Sequence, residues 1–191
     1  MAHSMLSSAL KYAELGFDVI PVKPHEKLLF EGNDYFDPSR DKEIIIHWWK
    51  RVPNANIGLP TSLRHNSLVV IDIDIKDGID GRISLNQFLK EHNLQLSKTS
   101  VVKSGTGFHL YYRNSTGMRL WGNKDVLPNV DIRAENAYIV APPSIHKNKS
   151  RYKWISGSIN ELANVDDTVL ELLKLVERNT SSLREKATSN N

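Results

Sequence analysis

The chain has 191 residues, of which 40% are hydrophobic and 25% are charged, and its formal net charge is +3. These proportions are typical of a globular protein, and no apolar run is long enough to predict a membrane span. Because the sequence contains no cysteine, disulfides and thiolate metal sites are excluded.

The pattern of apolar residues predicts a mixed α and β fold, with helices near both ends and strands between them. Apolar residues three and four apart are typical of amphipathic helices, and short β-branched runs bounded by turn residues are typical of strands. We predict helices over residues 5–15, after an N-cap at Ser39, and over residues 84–92 and 167–178. We predict strands over residues 17–22, 56–59, 68–75, 100–103, 109–113, 130–132, 138–141 and 152–155.

We expect these elements to form one domain over residues 5–178, with a boundary between two lobes near residues 60–66. Residues 1–4 precede a second methionine and resemble an expression scar, whereas residues 179–191 are polar and predicted to form a disordered tail. No basic stretch followed by an apolar one opens the chain. We therefore expect an intracellular, cytoplasmic protein without a membrane partner.

Two acidic residues stand near the end of the strand predicted over residues 68–75. The sequence changes there from an apolar run to the alternating Asp72-Ile73-Asp74, and residues i and i+2 of a strand point to the same face. Adjacent carboxylates repel each other unless a cation lies between them, and Mg²⁺ prefers such oxygen ligands. The pair therefore indicates a divalent metal site, although acids at the solvated end of a core strand would show the same pattern.

A second motif lies between two predicted strands. It contains six candidate nucleotide-binding residues: Lys103, Ser104, Gly105, Thr106, Gly107 and His109. Glycines allow a tight turn and close approach to a ligand, while free N–H groups, a hydroxyl and basic side chains suit a triphosphate. The alternative interpretation is a hairpin turn followed by an ordinary polar strand residue.

Two further motifs place polar side chains on short strands. Asp131 lies two residues before Arg133. This pair is either a surface ion pair or a third metal ligand beside an arginine that binds phosphate or template. The strand predicted over residues 138–141 runs into a double-proline turn that presents Ser144 and His146, either as the rim of an active site or as a simple strand end.

These four motifs, in this order, resemble the primase-polymerase domain (bifunctional DNA primase/polymerase, N-terminal) of the archaeo-eukaryotic primase superfamily. They read Asp-x-Asp, Ser-Gly-x-Gly-x-His, Val-Asp-Ile-Arg and Ala-Pro-Pro-Ser-x-His. The segment before the acidic strand is similar as well, and the resemblance covers roughly residues 5–155. The family's Gly-Lys-x-Pro run after the first strand is replaced here by His-Glu-Lys-Leu, in which Lys27 is the nearest counterpart.

The resemblance implies a two-lobed α+β fold, in which an N-terminal α/β lobe is joined to a sheet like that of an RNA-recognition motif. This sheet would carry the active site. The implied activity is that of a DNA primase and polymerase, which makes primers and extends them. Two divalent ions, Mg²⁺ or Mn²⁺, would be held by Asp72, Asp74 and Asp131.

The resemblance also implies a set of ligands and partners. Nucleoside triphosphates would be bound by the residues of the second motif together with Arg133 and His146. Single-stranded DNA would serve as template and primer, and Trp121, between Arg119 and Lys124, is expected to stack on a base of the template. A helicase or accessory C-terminal domain, common in full-length relatives, is a further expected partner.

Two other functions are compatible with the acidic residues. A metal-dependent nuclease would use Asp72 and Asp74 with water as the nucleophile, but it would not need a triphosphate-binding motif. A non-catalytic nucleotide- or DNA-binding module of a replication initiator would not need three carboxylates. Incorporation of labelled nucleotide, degradation of DNA, or binding alone would distinguish the three.

Overall fold

The computed structural model describes residues 4–31 and 37–175. The predicted tail over residues 179–191 lies outside these ranges. The helices are α1 (Met5–Glu14), α2 (Lys42–Arg51), α3 (Gly81–Glu91) and α4 (residues 167–175). None of the described helices combines the length and apolarity that a bilayer crossing requires. The strands are β1 (Ile20–Val22), β2 (Asn56–Pro60), β3 (Leu68–Lys76), β4 (Ile79–Asp80), β5 (Ser100–Lys103), β6 (Gly107–Arg113), β7 (Val130–Arg133), β8 (Tyr138–Ala141), β9 (Lys153–Ser156) and β10 (Ala163–Asn164).

The strands form two sheets, which confirms the predicted α+β class. The small sheet is antiparallel and has the order β1-β2-β8. The large sheet has the order β4-β3-β6-β5-β9, with β7 beside β3 and β10 beside β6. The chain passes from the small sheet to the large one between β2 and β3, where the boundary near residues 60–66 was predicted, and β8 later returns to the small sheet.

The large sheet has a back face that is sealed by two helices. Successive residues of a strand point to opposite faces. Val69, Ile71 and Ile73 of β3 point to this back face, where they form one buried cluster with Leu85 of α3 and Leu172 of α4. Burial of these side chains fixes the register of β3, because a slip by one residue would turn the acidic residues into the core.

The opposite, front face of the large sheet carries Val70 and Tyr111, which share a buried cluster with the small sheet and with α1 and α2. The buried face of α2 is the predicted one: Ile45, Trp48 and Trp49. Further along β3, the front face changes from apolar residues to Asp72 and Asp74. The acidic residues therefore lie where the front face leaves the apolar core.

Two helices begin at residues other than the predicted ones. The N-cap of α2 is Asp41, whose side chain accepts from two backbone N–H groups of the first turn, so the prediction of Ser39 is wrong. Ser39 instead forms a bridge with Val19. Asp80 caps α3, which begins at Gly81, three residues before the predicted start. In both cases the cap residue is an aspartate, whose negative charge interacts favourably with the positive end of the helix dipole.

Candidate active site

Acidic and basic side chains are aligned across three neighbouring strands of the front face. Asp72 of β3 is paired with His109 of β6 on one side and with Asp131 of β7 on the other. Residues paired in this way point to the same face, with Cβ atoms about 4.5–5.5 Å apart. Asp74 follows on β3 opposite Gly107, and its carboxylate lies on the same face. The sheet therefore brings the three predicted metal ligands onto one surface beside a histidine. We call these three carboxylates, Asp72, Asp74 and Asp131, the acidic row.

Asp72 is the buried member of this row, with 3% of its surface exposed. Its Oδ1 lies 3.3 Å from Nε2 of His109, and its Oδ2 lies 3.7 Å from the guanidinium of Arg133. Burial alone would raise the pKa of this carboxyl group, but His109, Lys27 and Arg133 outweigh burial and hold the pKa well below its usual range. Asp72 is therefore an anion at neutral pH despite its burial.

Both oxygens of Asp74 are engaged by neighbouring side chains. The hydroxyl of Thr106 donates to Oδ1 at 2.9 Å, and Nζ of Lys76 lies 3.0 Å from Oδ2. The bond to Asp74 raises the pKa of Lys76, so the lysine stays charged. Because 46% of the Lys76 side chain is exposed, the lysine can move away without disturbing the core.

Asp131 is also held on both oxygens. The backbone N–H of Asp125 donates to its Oδ1 at 2.8 Å, and the guanidinium of Arg133 lies 2.6 Å from its Oδ2. This is the ion pair that one interpretation of the motif predicted. Since the same guanidinium lies 3.7 Å from Asp72, one arginine joins two of the three carboxylates.

The carboxylate oxygens of Asp72, Asp74 and Asp131 are ligands that suit a divalent cation, but their side chains are not arranged around one binding point. In the described part of the chain, no group of three or more His, Cys, Asp or Glu side chains is placed to hold a metal ion. Lys76 and Arg133 occupy oxygens that an ion would need. By contrast, the buried Oδ1 of Asp72 has no hydrogen-bond partner among the described residues, and a cation would satisfy it. The residues fit Mg²⁺ or Mn²⁺ once the two basic side chains move aside.

The second motif forms the turn between β5 and β6. The N–H of Ser104 donates to the carbonyl of Gly107 at 3.0 Å, and the Ser104 hydroxyl accepts from the N–H of Gly107 at 2.9 Å. A Cβ atom at Gly105 would collide with the ring of His146. One at Gly107 would collide with the carbonyl of Ile73 in β3. Neither glycine has a positive φ, so close packing rather than turn geometry requires them.

Lys103 is not brought together with the other predicted nucleotide-binding residues. It is paired with Phe108, and its Nζ lies 4.2 Å from the centre of that ring, as in a cation–π contact. The neighbouring Val102 is paired with His109 on the front face. Because adjacent strand residues point to opposite faces, Lys103 projects from the back face, away from the acidic row.

Both candidate histidines are buried. His109 is 1% exposed and His146 is 5% exposed, and their ring centres lie 5.7 and 6.1 Å from that of Tyr152. Ser144, in the fourth motif, has a structural contact, because its hydroxyl accepts from the N–H of Ile57 at 2.8 Å. The side chains of Ser144 and His146 in the fourth motif are therefore buried beside the site and do not project into solvent.

Residues 9–168 match the family described as bifunctional DNA primase/polymerase, N-terminal. The chain belongs to this family. The matched range contains both sheets and the three aligned carboxylates, so the resemblance indicated by the four motifs is confirmed. The sequence of this primase-polymerase domain has no match among curated proteins. Family membership indicates a nucleotidyltransferase of the primase/polymerase type.

Three residues near the acidic row of this primase-polymerase domain were not predicted from the sequence: Lys76, Tyr111 and Tyr152. Lys76 continues the alternation of Asp72 and Asp74, so its shared face was visible in the spacing. Tyr111 likewise follows His109 by two residues. Tyr152 comes from a segment far along the chain, and no local sequence pattern indicates that it lies near the site.

Proposed function

We propose that this domain is a template-dependent nucleotidyltransferase that makes DNA or RNA primers and extends them. The observation that carries the proposal is the alignment of Asp131, Asp72 and His109 across three strands, with Asp74 on the same face. Carboxylates on one surface suit divalent ions that assist phosphoryl transfer. The family match supports a reaction of the primase/polymerase type.

Asp72, Asp74 and Asp131 would hold Mg²⁺ or Mn²⁺. When bound, two such ions lower the pKa of an attacking 3′ hydroxyl and neutralise charge on the triphosphate. Asp72 can bind a cation without first losing a proton, because its pKa is already depressed. Thr106 holds Oδ1 of Asp74, which leaves the oxygen now paired with Lys76 for the ion.

Arg133 and Lys76 are the cations best placed to contact the triphosphate. Each is paired with a proposed metal ligand, and each would be released from it when a divalent ion binds. The Arg133 side chain is 26% exposed and that of Lys76 is 46% exposed, so both can turn toward an anionic ligand. Their charge would then stabilise the negative charge that develops on the leaving pyrophosphate.

The proposal is tested by supplying single-stranded DNA, with and without a primer, together with labelled nucleoside triphosphates and Mn²⁺. We expect template-directed products that are lost without metal and in Asp131→Asn. Shortening of labelled DNA would instead indicate the nuclease. Nucleotide or DNA binding without either reaction would indicate the non-catalytic module. Either of these results would overturn the proposed function.

A further inference from the structure

A cavity of about 650 Å³ lies between α1, the double-proline turn after β8 and the segment that contains β9. This volume falls within the range of about 300–1,000 Å³ that is usual for small-molecule sites. None of the described residues that line the cavity is a predicted metal ligand or a predicted nucleotide-binding residue. The proposed function therefore leaves this cavity without a role.

Part of the cavity lining is apolar and aromatic. Tyr12 is 7% exposed, and its hydroxyl donates to the carbonyl of Pro142 at 2.9 Å. Trp154 packs against Tyr111, with 5.0 Å between the ring centres. Leu15, which also lines the cavity, is 39% exposed. Two anchored aromatic rings with an exposed apolar side chain nearby suit a flat, partly apolar group of a ligand.

The charged residues that line the cavity are both basic. Among the described lining residues they are Lys11, in the last turn of α1, and Arg151. The guanidinium of Arg151 donates to the carbonyl of Pro143 at 3.0 Å, whereas the Lys11 side chain has no hydrogen bond or ion pair with any described residue. Because no described carboxylate lines the cavity, these two positive charges are not neutralised within it. The cavity therefore favours an anion with two negative charges.

We propose that this cavity is a second ligand site, which binds a nucleoside monophosphate. The phosphate monoester, with a charge of about −1.5 to −2 at pH 7, would lie between Lys11 and Arg151. The base would lie against Tyr12 and Trp154. Such binding needs no divalent ion, because the two basic side chains supply the opposite charge. The inference therefore goes beyond the proposed function, in which nucleotides are bound together with metal at the acidic row.

Simpler ligands would use only part of this lining. Inorganic phosphate would leave the aromatic rings uncovered, and a free nucleoside would leave both positive charges unpaired. The side chains of Ser8 and Asn160 also line the cavity and have no hydrogen-bond partner among the described residues, so they can pair with the hydroxyl groups of a sugar. A ligand that combines base, sugar and phosphate therefore matches the aromatic, polar and basic parts of the cavity together.

Calorimetric titration of the full chain in EDTA tests the inference, with adenosine monophosphate, adenosine and inorganic phosphate as separate ligands. EDTA removes divalent ions, so metal-dependent binding at the acidic row does not contribute. We expect adenosine monophosphate to bind most tightly, and Lys11→Gln and Arg151→Gln each to weaken it roughly tenfold or more. Lys90→Gln, which removes a lysine from the last turn of α3, is the matched control and should bind normally. The indole N–H resonance of Trp154, assigned with Trp154→Phe, should shift on saturation.

The outcomes separate this inference from the proposed function. Asp131→Asn, which should lose synthesis, should still bind adenosine monophosphate; loss of binding in this variant would place the ligand at the acidic row and overturn the inference. No saturable binding, or equal affinities in Lys11→Gln and Lys90→Gln, would overturn it while the proposed function stands. Phosphate or adenosine that binds as tightly as adenosine monophosphate would also overturn it, because the cavity would then recognise only part of a nucleotide.

Discussion

Nζ of Lys76 lies 3.0 Å from Oδ2 of Asp74, so β3 carries its own counter-cation two residues beyond the acid. The lysine and a divalent ion would compete for the same oxygen. Exposed ion pairs of this kind contribute about 0.2–1 kcal/mol. We therefore predict that Lys76→Gln raises the affinity for Mn²⁺, measured calorimetrically without nucleotide, by roughly 1.5–5-fold.

The control for this prediction is Lys103→Gln. Lys103 carries the same charge, but it projects from the back face, where its Nζ lies over the ring of Phe108. Its removal should leave Mn²⁺ affinity unchanged. An equal gain in both variants would show that net charge, and not the pairing of Lys76 with Asp74, controls metal binding.

Asp72→Asn should abolish nucleotide incorporation and also lower the stability of the metal-free protein. The proximity of Asp72 and Asp74, taken alone, suggests that removing one negative charge relieves the repulsion between the two carboxylates. In the fold, however, His109 and Arg133 flank Asp72, and its depressed pKa means that folding favours the charged form. Thermal and denaturant unfolding at pH 7 should show a loss of about 1–3 kcal/mol. Unchanged or increased stability would contradict this account.

The pairing of Asp18 predicts a stability difference that depends on pH. Nε of Arg40 lies 2.7 Å from its Oδ1, and Nδ1 of His65 lies 2.8 Å from its Oδ2. Burial would raise the pKa of Asp18, but these partners lower it below the usual 3.8. A carboxyl group whose pKa is depressed by folding stabilises the fold above its unfolded pKa, and this contribution disappears as the pH falls through the folded value.

Asp18→Asn should therefore be less stable than the unmodified protein at pH 7, by about 1 kcal/mol because Arg40 is largely exposed. The difference should shrink below pH 3.8, as Asp18 itself becomes protonated. Urea unfolding at several pH values measures it. Glu14→Gln, which changes an exposed carboxylate of α1, serves as the control. A difference that stays constant with pH would exclude the ion pairs as its source.

Much of the fold was accessible from local sequence patterns. The strands over Ser100–Lys103 and Tyr138–Ala141 have the predicted bounds. The alternation of Asp72 and Asp74 on a strand whose other face is apolar was enough to place both carboxylates together. These features depend on neighbouring residues alone, which is why the sequence could predict them.

The remaining features depend on pairing between distant segments. The alignment of Asp131 with Asp72 follows from the register of β7 against β3, which no local pattern specifies. The placement of Lys103 on the back face follows from the hairpin register, in which it is paired with Phe108. Very short strands such as β4 and β10 carry too few residues for a periodic signal and were not predicted.

Gly105 and His146 should be energetically coupled. A Cβ atom at residue 105 would overlap the imidazole ring, so Gly105→Ala should destabilise the protein by about 1–3 kcal/mol through overpacking. His146→Ala removes the nearest atoms of the ring, and in that background Gly105→Ala should cost less. Denaturant unfolding of the two single variants, the double variant and the unmodified protein gives the coupling energy, expected to be at least about 0.5 kcal/mol. Additive losses would mean that the glycine is needed for another reason.

Trp121 lies beside the strand that carries Asp131. The N–H groups of Glu135 and Ile132 donate to the carbonyls of Leu120 and Asn123, each at 2.8 Å, so the segment runs along the outer edge of β7. Leu120 packs against the core, whereas Trp121 is 51% exposed. Backbone bonds on both sides therefore hold an open aromatic ring at the edge of the sheet, between two basic residues of the sequence.

We predict that Trp121→Ala weakens binding of single-stranded DNA, because an exposed aromatic ring flanked by Arg119 and Lys124 suits base stacking. Stacking is worth about 1–3 kcal/mol per base, or roughly 5–150-fold in affinity. Trp121→Phe should retain most of the affinity, and nucleotide binding should be unchanged in both variants. Fluorescence anisotropy of a labelled oligothymidylate measures the effect.

Ile155→Ala, at the opposite edge of the large sheet and 50% exposed, is the control for this prediction. An equal loss in the Ile155 variant would indicate nonspecific apolar binding, and no loss in Trp121→Ala would place the template elsewhere on the domain.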